Sequence, residues 1–373
     1  MGEWKKHRLA DVVSLVIDHR GKTPKKLGGD WAETGYRALS AKSVKTRQIV
    51  NEDAIRCVDE EMYRRWMKDE IHRGDILVTS EAPYGEVYYW NSDEKIVLSQ
   101  RLFGLRVKPE FDSAFIAHYM TSQAFKSEMD GRATGTTVFG LRQPELLDCK
   151  LFVPDLPTQR RIAAVLGALD DKIEVNRKIC ENLEAQAQAL FKAWFVDFEP
   201  FGGKRPEGWK MGELGSLIEV CYGKDHKKRP DGNIPVYGSG GYMRSVDIPL
   251  YDKESVLIPR KGSLNNILYV NEAFWTVDTM FYSKMRVPCV AKYVHQFLKT
   301  KDMEEMNVGS AVPSMTTDIL NHMQVLIPDA LSLSKFDAIA GALYSSIKHA
   351  NRESRALAAM RDALLPKLMR GEL

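Results

Sequence analysis

The sequence predicts an α+β chain: two mixed α/β globules, residues 1–155 and 201–330, alternating with two long helices, 156–200 and 331–373, that pair as an antiparallel coiled coil. Three observations carry this expectation. An unbroken heptad seam fills residues 157–198, a second follows from Phe336, and the segments before the two seams are loose copies of one another.

In the first seam Ile162, Leu166, Leu169, Ile173, Asn176, Cys180, Leu183, Ala187, Leu190 and Trp194 step alternately by four and three, the pattern of a coiled-coil helix. Pro157 suits the first helical position, and residues 158–195 would span roughly 57 Å at the α-helical rise. A single long apolar stripe cannot face water, so it needs a partner helix. From Phe336 the positions Ala340, Leu343, Ile347, Ala350, Ser354, Leu357, Arg361, Leu364 and Leu368 keep the same alternation, with Pro366 expected to kink or end the helix. One seam each predicts an intramolecular pair, and the polar Asn176 is the kind of seam residue that fixes register. Packing of each helix on its own globule, or pairing between chains, stays open at this level. Arg361 stands where an apolar residue is expected; if it faces the first helix, Glu181 or Glu184 should pair with it. Asp170, Asp171 and Glu174 fall off the seam and read as a solvated helix face.

With 373 residues, 44% of them hydrophobic, the chain has material for two or three domains. Its five cysteines lack C-x-x-C spacing and one of them, Cys180, sits on the seam, which predicts a reducing cytoplasm. The N-terminus lacks a long apolar run and no window approaches eighteen uncharged apolar residues, so neither secretion nor a membrane span is expected. The net charge of +3 indicates no partner, although residues 1–50 hold 11 Lys or Arg against 5 Asp or Glu.

The repeat begins with Trp4-Lys5 and Leu9, matched by Trp209-Lys210 and Leu214, then Gly21-Lys22-Thr23-Pro24-Lys25-Lys26, matched by Gly223-Lys224-Asp225-His226-Lys227-Lys228. Asp75–Thr79 parallels Ser255–Pro259, Val97–Val107 parallels Trp275–Met285, and Gly135–Pro154 aligns without gaps to Gly309–Pro328. Within the first copy, Ile76–Thr79, Glu86–Trp90, Ile96–Leu98 and Leu102–Val107 are expected strands. Phe111–Met129 and Val290–Met306 are expected helices late in each copy, and the Gly- and Pro-rich 201–208 marks a boundary. Two similar globules on paired helices suit a rod-like ligand met at two points, such as duplex DNA, but would equally suit a protein scaffold.

No catalytic constellation survives inspection. Gly21-Lys22-Thr23 imitates the end of a phosphate loop, yet Val16 occupies the place of the required glycine. Gly238-Ser239-Gly240-Gly241 lacks dinucleotide-loop spacing and reads as a surface turn, the eight histidines have no metal-ligand spacing, and no nucleophile-elbow motif occurs. What remains are basic loops with hydrogen-bonding and aromatic neighbours. In the first copy these are Arg20, Lys22, Thr23, Lys25, Lys26, Tyr84, Gln100, Arg101, Thr136, Thr137 and Arg142. The second offers Lys224, His226, Lys227, Lys228, Arg229, Tyr237, Ser239, Tyr242, Arg260, Lys261, Asn265 and Asn266. Lysine and arginine neutralise phosphates, while Arg, Gln and Asn can contact guanine or adenine edges bidentately. Any one cluster also fits a solvated loop; recurrence at equivalent places favours the DNA reading.

Leu156–Ile162 (LPTQRRI), Leu183–Phe198 (LEAQAQALFKAWFVDF), Arg205–Lys210 (RPEGWK) and Leu364–Leu373 (LLPKLMRGEL), in that order, resemble the specificity subunits of type I restriction-modification enzymes over essentially the full chain. The resemblance implies a non-catalytic subunit. Two target-recognition domains would each read half of an asymmetric bipartite site in double-stranded DNA. The helices would set the gap and dock two modification subunits, which methylate adenine with S-adenosylmethionine; restriction subunits using ATP would join them. It implies no cofactor in this chain, consistent with the lack of an N-P-P-[YF] motif, which Asn233-Ile234-Pro235-Val236 only echoes.

Overall fold

A computed structural model describes residues 4–135, 139–307 and 313–372. By internal contacts the chain divides into two compact units, Met1–Val175 with Glu353–Leu373, and Asn176–Arg352.

The first unit runs β1 (Lys5–Arg8), α1 (Leu9–Val12), β2 (Val13–Asp18), β3 (Tyr36–Leu39), β4 (Val44–Lys45), β5 (Gln48–Ile49), β6 (Cys57–Val58), α2 (Glu60–Trp66), β7 (Ile76–Ser80) and β8 (Tyr84–Tyr89). It continues through β9 (Val97–Leu98), β10 (Leu102–Val107), α3 (Ser113–Met120), α4 (Gln123–Asp130), α5 (Gln143–Leu147), β11 (Lys150–Val153) and the first half of α6 (Leu156–Phe195). Its main sheet has the order β2-β10-β7-β8 and is antiparallel throughout; a smaller sheet, β6-β3-β9, contains the parallel pair β3/β9, and β1 pairs with β11.

The second unit takes the other half of α6, then β12 (Lys210–Glu213), β13 (Ile218–Tyr222), β14 (Ile234–Gly238), β15 (Gly241–Val246), β16 (Ser255–Pro259), β17 (Leu268–Val270), β18 (Trp275–Thr276) and β19 (Met280–Met285). Then come α7 (Ala291–Lys299), α8 (Thr317–His322), β20 (Gln324–Ile327) and most of α9 (Ala330–Met369). The orders β13-β19-β16-β17, β15-β14-β18 and β12-β20 repeat those of the first unit. Register repeats too. Thr79 sits opposite Leu102 as Pro259 sits opposite Met280, and Ala38 opposite Val97 as Val236 opposite Trp275. The two G-K-x-x-K-K loops follow the equivalent strands β2 and β13, but their glycines serve different needs. Gly21 has φ +85° with open space around it, whereas a Cβ on Gly223 would lie 2.0 Å from the Val277 carbonyl oxygen.

Both long helices start on an aspartate cap: Thr158 N–H donates to Asp155 Oδ1 (2.8 Å) and Ser332 N–H to Asp329 Oδ1 (2.9 Å). Pro157 is therefore the second helical residue rather than the first. The expected pairing is antiparallel in each unit. In the second, Asn176 Nδ2 donates to the Ala350 carbonyl (3.4 Å) and Cys180 Sγ lies 3.8 Å from the Ile347 carbonyl oxygen. In the first, Arg361 meets Asp170 and Lys172 meets Glu353. None of the seam residues is exposed.

The seams' outer ends also belong to the globules. Ile162, Leu166, Leu365 and Leu368 join the first globule's core, and Ala187, Phe191, Phe336 and Ala340 the second's. This explains the sequence blocks around the helices. Phe195 packs on Phe336 (5.0 Å between ring centroids), Trp209 (5.7 Å) and Tyr293 (4.7 Å), while Trp209 Nε1 donates to Asp329. Buried Gln159 binds the Asp112 N–H and the Pro154 carbonyl, stitching the start of α6 to the first globule.

Five further expectations are corrected. The helix foreseen over Phe111–Met129 breaks at Thr121–Ser122, because Ser122 caps α4 through Phe125 N–H; its counterpart over Val290–Met306 ends at Lys299. Pro366 lies inside α9, which continues to Met369 despite the lost donor; Leu365, Leu368 and Met369 are buried beside it, and that packing holds the last turn. Arg361 does face α6 but pairs with Asp170 (2.6 Å); Glu181 is taken by Arg177 and Glu184 by Lys299. Asp170 is accordingly no solvated residue. Its carboxylate also meets Arg47 (3.2 Å) and His118 (3.7 Å), because the first globule's β4–β5 hairpin and α3 reach it.

Candidate nucleic-acid interface

Most of the residues proposed for DNA lie on loops, with Tyr84, Tyr237 and Tyr242 within strands β8, β14 and β15, and the structure sorts them by what their polar atoms already do. In the first globule, the Arg20 guanidinium is held by Asp18 (2.7 Å) and lies 4.2 Å over the Phe103 ring. Lys22 Nζ donates to the Trp66 carbonyl (2.8 Å), its pKa lowered first by burial and then by Lys68. Lys26 Nζ donates to the Gly21 carbonyl and Thr23 Oγ1 accepts from Lys26 N–H, so these two shape the turn. Arg101, at φ +65°, pairs with Glu81 (3.0 Å). Tyr84 donates to Asp130, and that bond, more than burial, pushes its pKa up to about 12. Lys25 and Arg142 extend into solvent, and Thr136 and Thr137 lie outside the described residues.

Thr23, Gln100 and Arg101 come together on a cleft of about 460 Å³, which Trp31, Lys42 and Arg56 also line. Those last three were missed in the sequence. Arg56 lies 3.8 Å over the Trp31 ring, a contact between residues 25 positions apart that no local motif announces.

In the second globule Asn265 is structural: its side chain accepts from Met303 N–H (2.8 Å) and donates to Asp302. Asn266 Nδ2 donates to the Ser239 carbonyl (2.8 Å), tying its loop to the turn between β14 and β15. Arg260 donates to the Asp278 carbonyl (3.2 Å) and lies 5.4 Å over Tyr222; Arg229 lies 5.2 Å over Trp275. Tyr242, 53% exposed, touches Ser245 and stands edge-on to Tyr237. His226 is half-buried, and its Nδ1 has no hydrogen-bond partner among the described residues. Lys224, Lys227, Lys228 and Lys261 are exposed. The surface therefore offers exposed cations beside aromatic faces in both globules, a composition suited to phosphate and base contact.

Among the described residues no group of three or more His, Cys, Asp or Glu side chains is arranged to hold a metal ion, and no helix is long and apolar enough to cross a membrane.

The family model for the type I restriction modification DNA specificity domain matches residues 1–185 and 206–339. The chain belongs to that family. Among relatives of this specificity-subunit family, the HindI specificity subunit of Haemophilus influenzae is 34% identical, with 82% of this chain and 88% of that one covered. The MjaIX specificity subunit of Methanocaldococcus jannaschii is 25% identical over 81% and 78% of the two chains. The crystal structure of the type I restriction-modification S subunit from M. genitalium shares the fold, with a TM-score of 0.60, 18% identity and coverage of 98% and 96%. Membership accounts for the helix blocks that carried the resemblance, since they are the residues that anchor α6 and α9 into both cores.

Proposed function

We propose that this chain is the DNA-recognition subunit of a type I restriction-modification complex, each globule reading one half of an asymmetric, bipartite target. The observation that carries this is one strand topology repeated in register within a single specificity-family chain, with unlike side chains at the equivalent loops. Thr23 and Pro24 answer to Asp225 and His226, so two different half-sites are expected. In this reading the α6/α9 pair is both spacer and docking surface for two modification subunits. Those subunits bring S-adenosylmethionine and the methyl transfer to adenine, restriction subunits bring ATP-driven cleavage, and this chain supplies recognition without catalysis.

The test is co-purification with the neighbouring modification subunit, then mapping of methylated adenines on random-sequence DNA. Adenines on opposite strands, framing two unlike half-sites at constant spacing, are the expected result. A palindromic target, or a complex that forms and methylates nothing, overturns the reading.

A further inference from the structure

Almost every guanidinium of the first globule is already engaged. Among the described residues each of its arginines except Arg56 and Arg142 is ion-paired to a carboxylate. Arg142 extends into solvent beside α5. Arg56 is held in a defined pose. Its guanidinium lies 3.8 Å over Trp31, and Trp31 in turn sits 6.1 Å from the fully buried Trp66. The backbone is pinned on both sides, since Ala32 N–H donates to the Cys57 carbonyl and Ala38 N–H to the Arg56 carbonyl, both 2.9 Å.

Stacking occupies the face of a guanidinium and leaves its edge of N–H donors available. Here that edge borders a cleft whose other polar walls are neutral or basic: Ser40, Lys42, Asn51 and Gln100, besides the Arg101 already paired with Glu81. A planar fork with a fixed plane and no carboxylate partner matches two acceptors lying side by side in one plane, as O6 and N7 of guanine do in the major groove. Holding the rotamer in advance lowers the entropy lost on contact.

We infer that Arg56, laid flat on Trp31, reads a guanine edge in the half-site bound by the first globule. This rests on the DNA-recognition reading above. The second globule carries a looser counterpart, 5.2 Å rather than 3.8 Å from guanidinium carbon to ring centroid, beside its own small sheet. Arg229 lies over Trp275, whose Nε1 donates to the Lys224 carbonyl (2.8 Å), and Arg229 likewise has no carboxylate partner among the described residues. The recurrence is not inherited from the sequence repeat, because Trp275 aligns with Val97 and not with Trp31.

The experiment compares the wild-type complex with its modification subunits against Arg56→Ala and Arg56→Lys complexes, on a library randomised through both half-sites. The expected result is that one G·C position of one half-site becomes indifferent, losing about 5- to 150-fold discrimination in both variants, while the other half-site and the gap are unchanged. Replacing that guanine by 7-deazaguanine should reproduce the loss in the wild-type complex and add nothing to Arg56→Ala. A uniform loss across all sequences, with the slope of log K against log salt reduced by about one, would make Arg56 a phosphate contact and overturn the inference. So would an unchanged specificity profile, which would leave the stacked pair a structural clasp. Thermal melting of each variant complex identifies any loss due to misfolding, and the 7-deazaguanine arm on wild-type protein remains decisive there. If the wild-type complex itself methylates no bipartite target, it is the function reading that has failed, and this inference falls with it.

Discussion

Removing the Asp170 carboxylate would leave Arg47 and Arg361 facing one another in a site where their side chains are 19% and 12% exposed. Arg361 keeps Asp362 and Arg47 keeps the Thr121 hydroxyl, yet the one group bonded to both is lost. Breaking a buried pair by deleting one partner costs about 3–5 kcal/mol, and with Asp170 itself 22% exposed the lower end applies, so Asp170→Ala should lower unfolding free energy by about 3 kcal/mol in urea titration. A change under about 1 kcal/mol would show the cluster to be solvated in solution. His118 faces the same carboxylate, and burial, the largest cause, pushes its pKa down to about 4. Unfolded histidine titrates near 6.5, so between that value and about 4 the unfolded chain binds a proton that the folded chain refuses. Stability is then full above pH 6.5 and falls as pH drops towards 4, by up to about 1.4 kcal/mol per pH unit. His295 in the second unit, fully desolvated and held to about 3, contributes in the same direction. His118→Gln should therefore flatten the decline in urea midpoint between pH 7 and pH 5, and an unchanged slope would argue that His118 titrates normally.

At the scale of elements, the helix pair does two jobs that its heptads describe only in part. Its middle is a seam closed by Asn176 and Cys180 against the turns carrying Ala350 and Ile347, and its ends are core residues of a globule. An insertion should therefore be tolerated only where neither core is touched, between Val175 and Asn176 with a matching one between Arg352 and Glu353, where the two compact units adjoin in sequence. One added heptad in each helix lengthens the pair by about 10 Å, roughly three base pairs, without rotating the seam far. Mapped methylation should then show both half-sites unchanged and the gap widened by about that amount. An unaltered gap would mean that the helices do not set it.

For the whole molecule, the net charge of +3 is small, and what matters for DNA is which cations are left without a nearby carboxylate. Asp18, Glu81, Glu94 and Asp170 each neutralise an arginine, whereas Lys25, Lys42, Lys227 and Lys228 stay exposed. Target binding by the assembled complex should accordingly weaken steeply with salt, log K falling by about 0.9 per log unit for each phosphate contacted. A slope near zero would favour a protein-binding scaffold instead.

The residues alone determined the fold class and the four-part order, because heptad period and repeat spacing are local properties written wherever a helix or strand must bury one face, while the family was legible only through the resemblance of blocks such as LPTQRRI and LLPKLMRGEL. Ile162 and Leu343 could be assigned to a seam without knowing what they touch. The tertiary structure decided which charges are available. Lys22 and Lys26 look like phosphate binders in the chain and are spent on the Trp66 and Gly21 carbonyls, while Arg56, in no motif, keeps its edge clear by resting on Trp31. Likewise Arg361 was expected to meet Glu181 or Glu184, and only the antiparallel register, fixed by contacts between residues 191 positions apart, brought it to Asp170. A polar side chain's role depends on partners that sequence spacing does not encode, since a hydrogen bond is satisfied by whatever group the fold carries within about 3 Å.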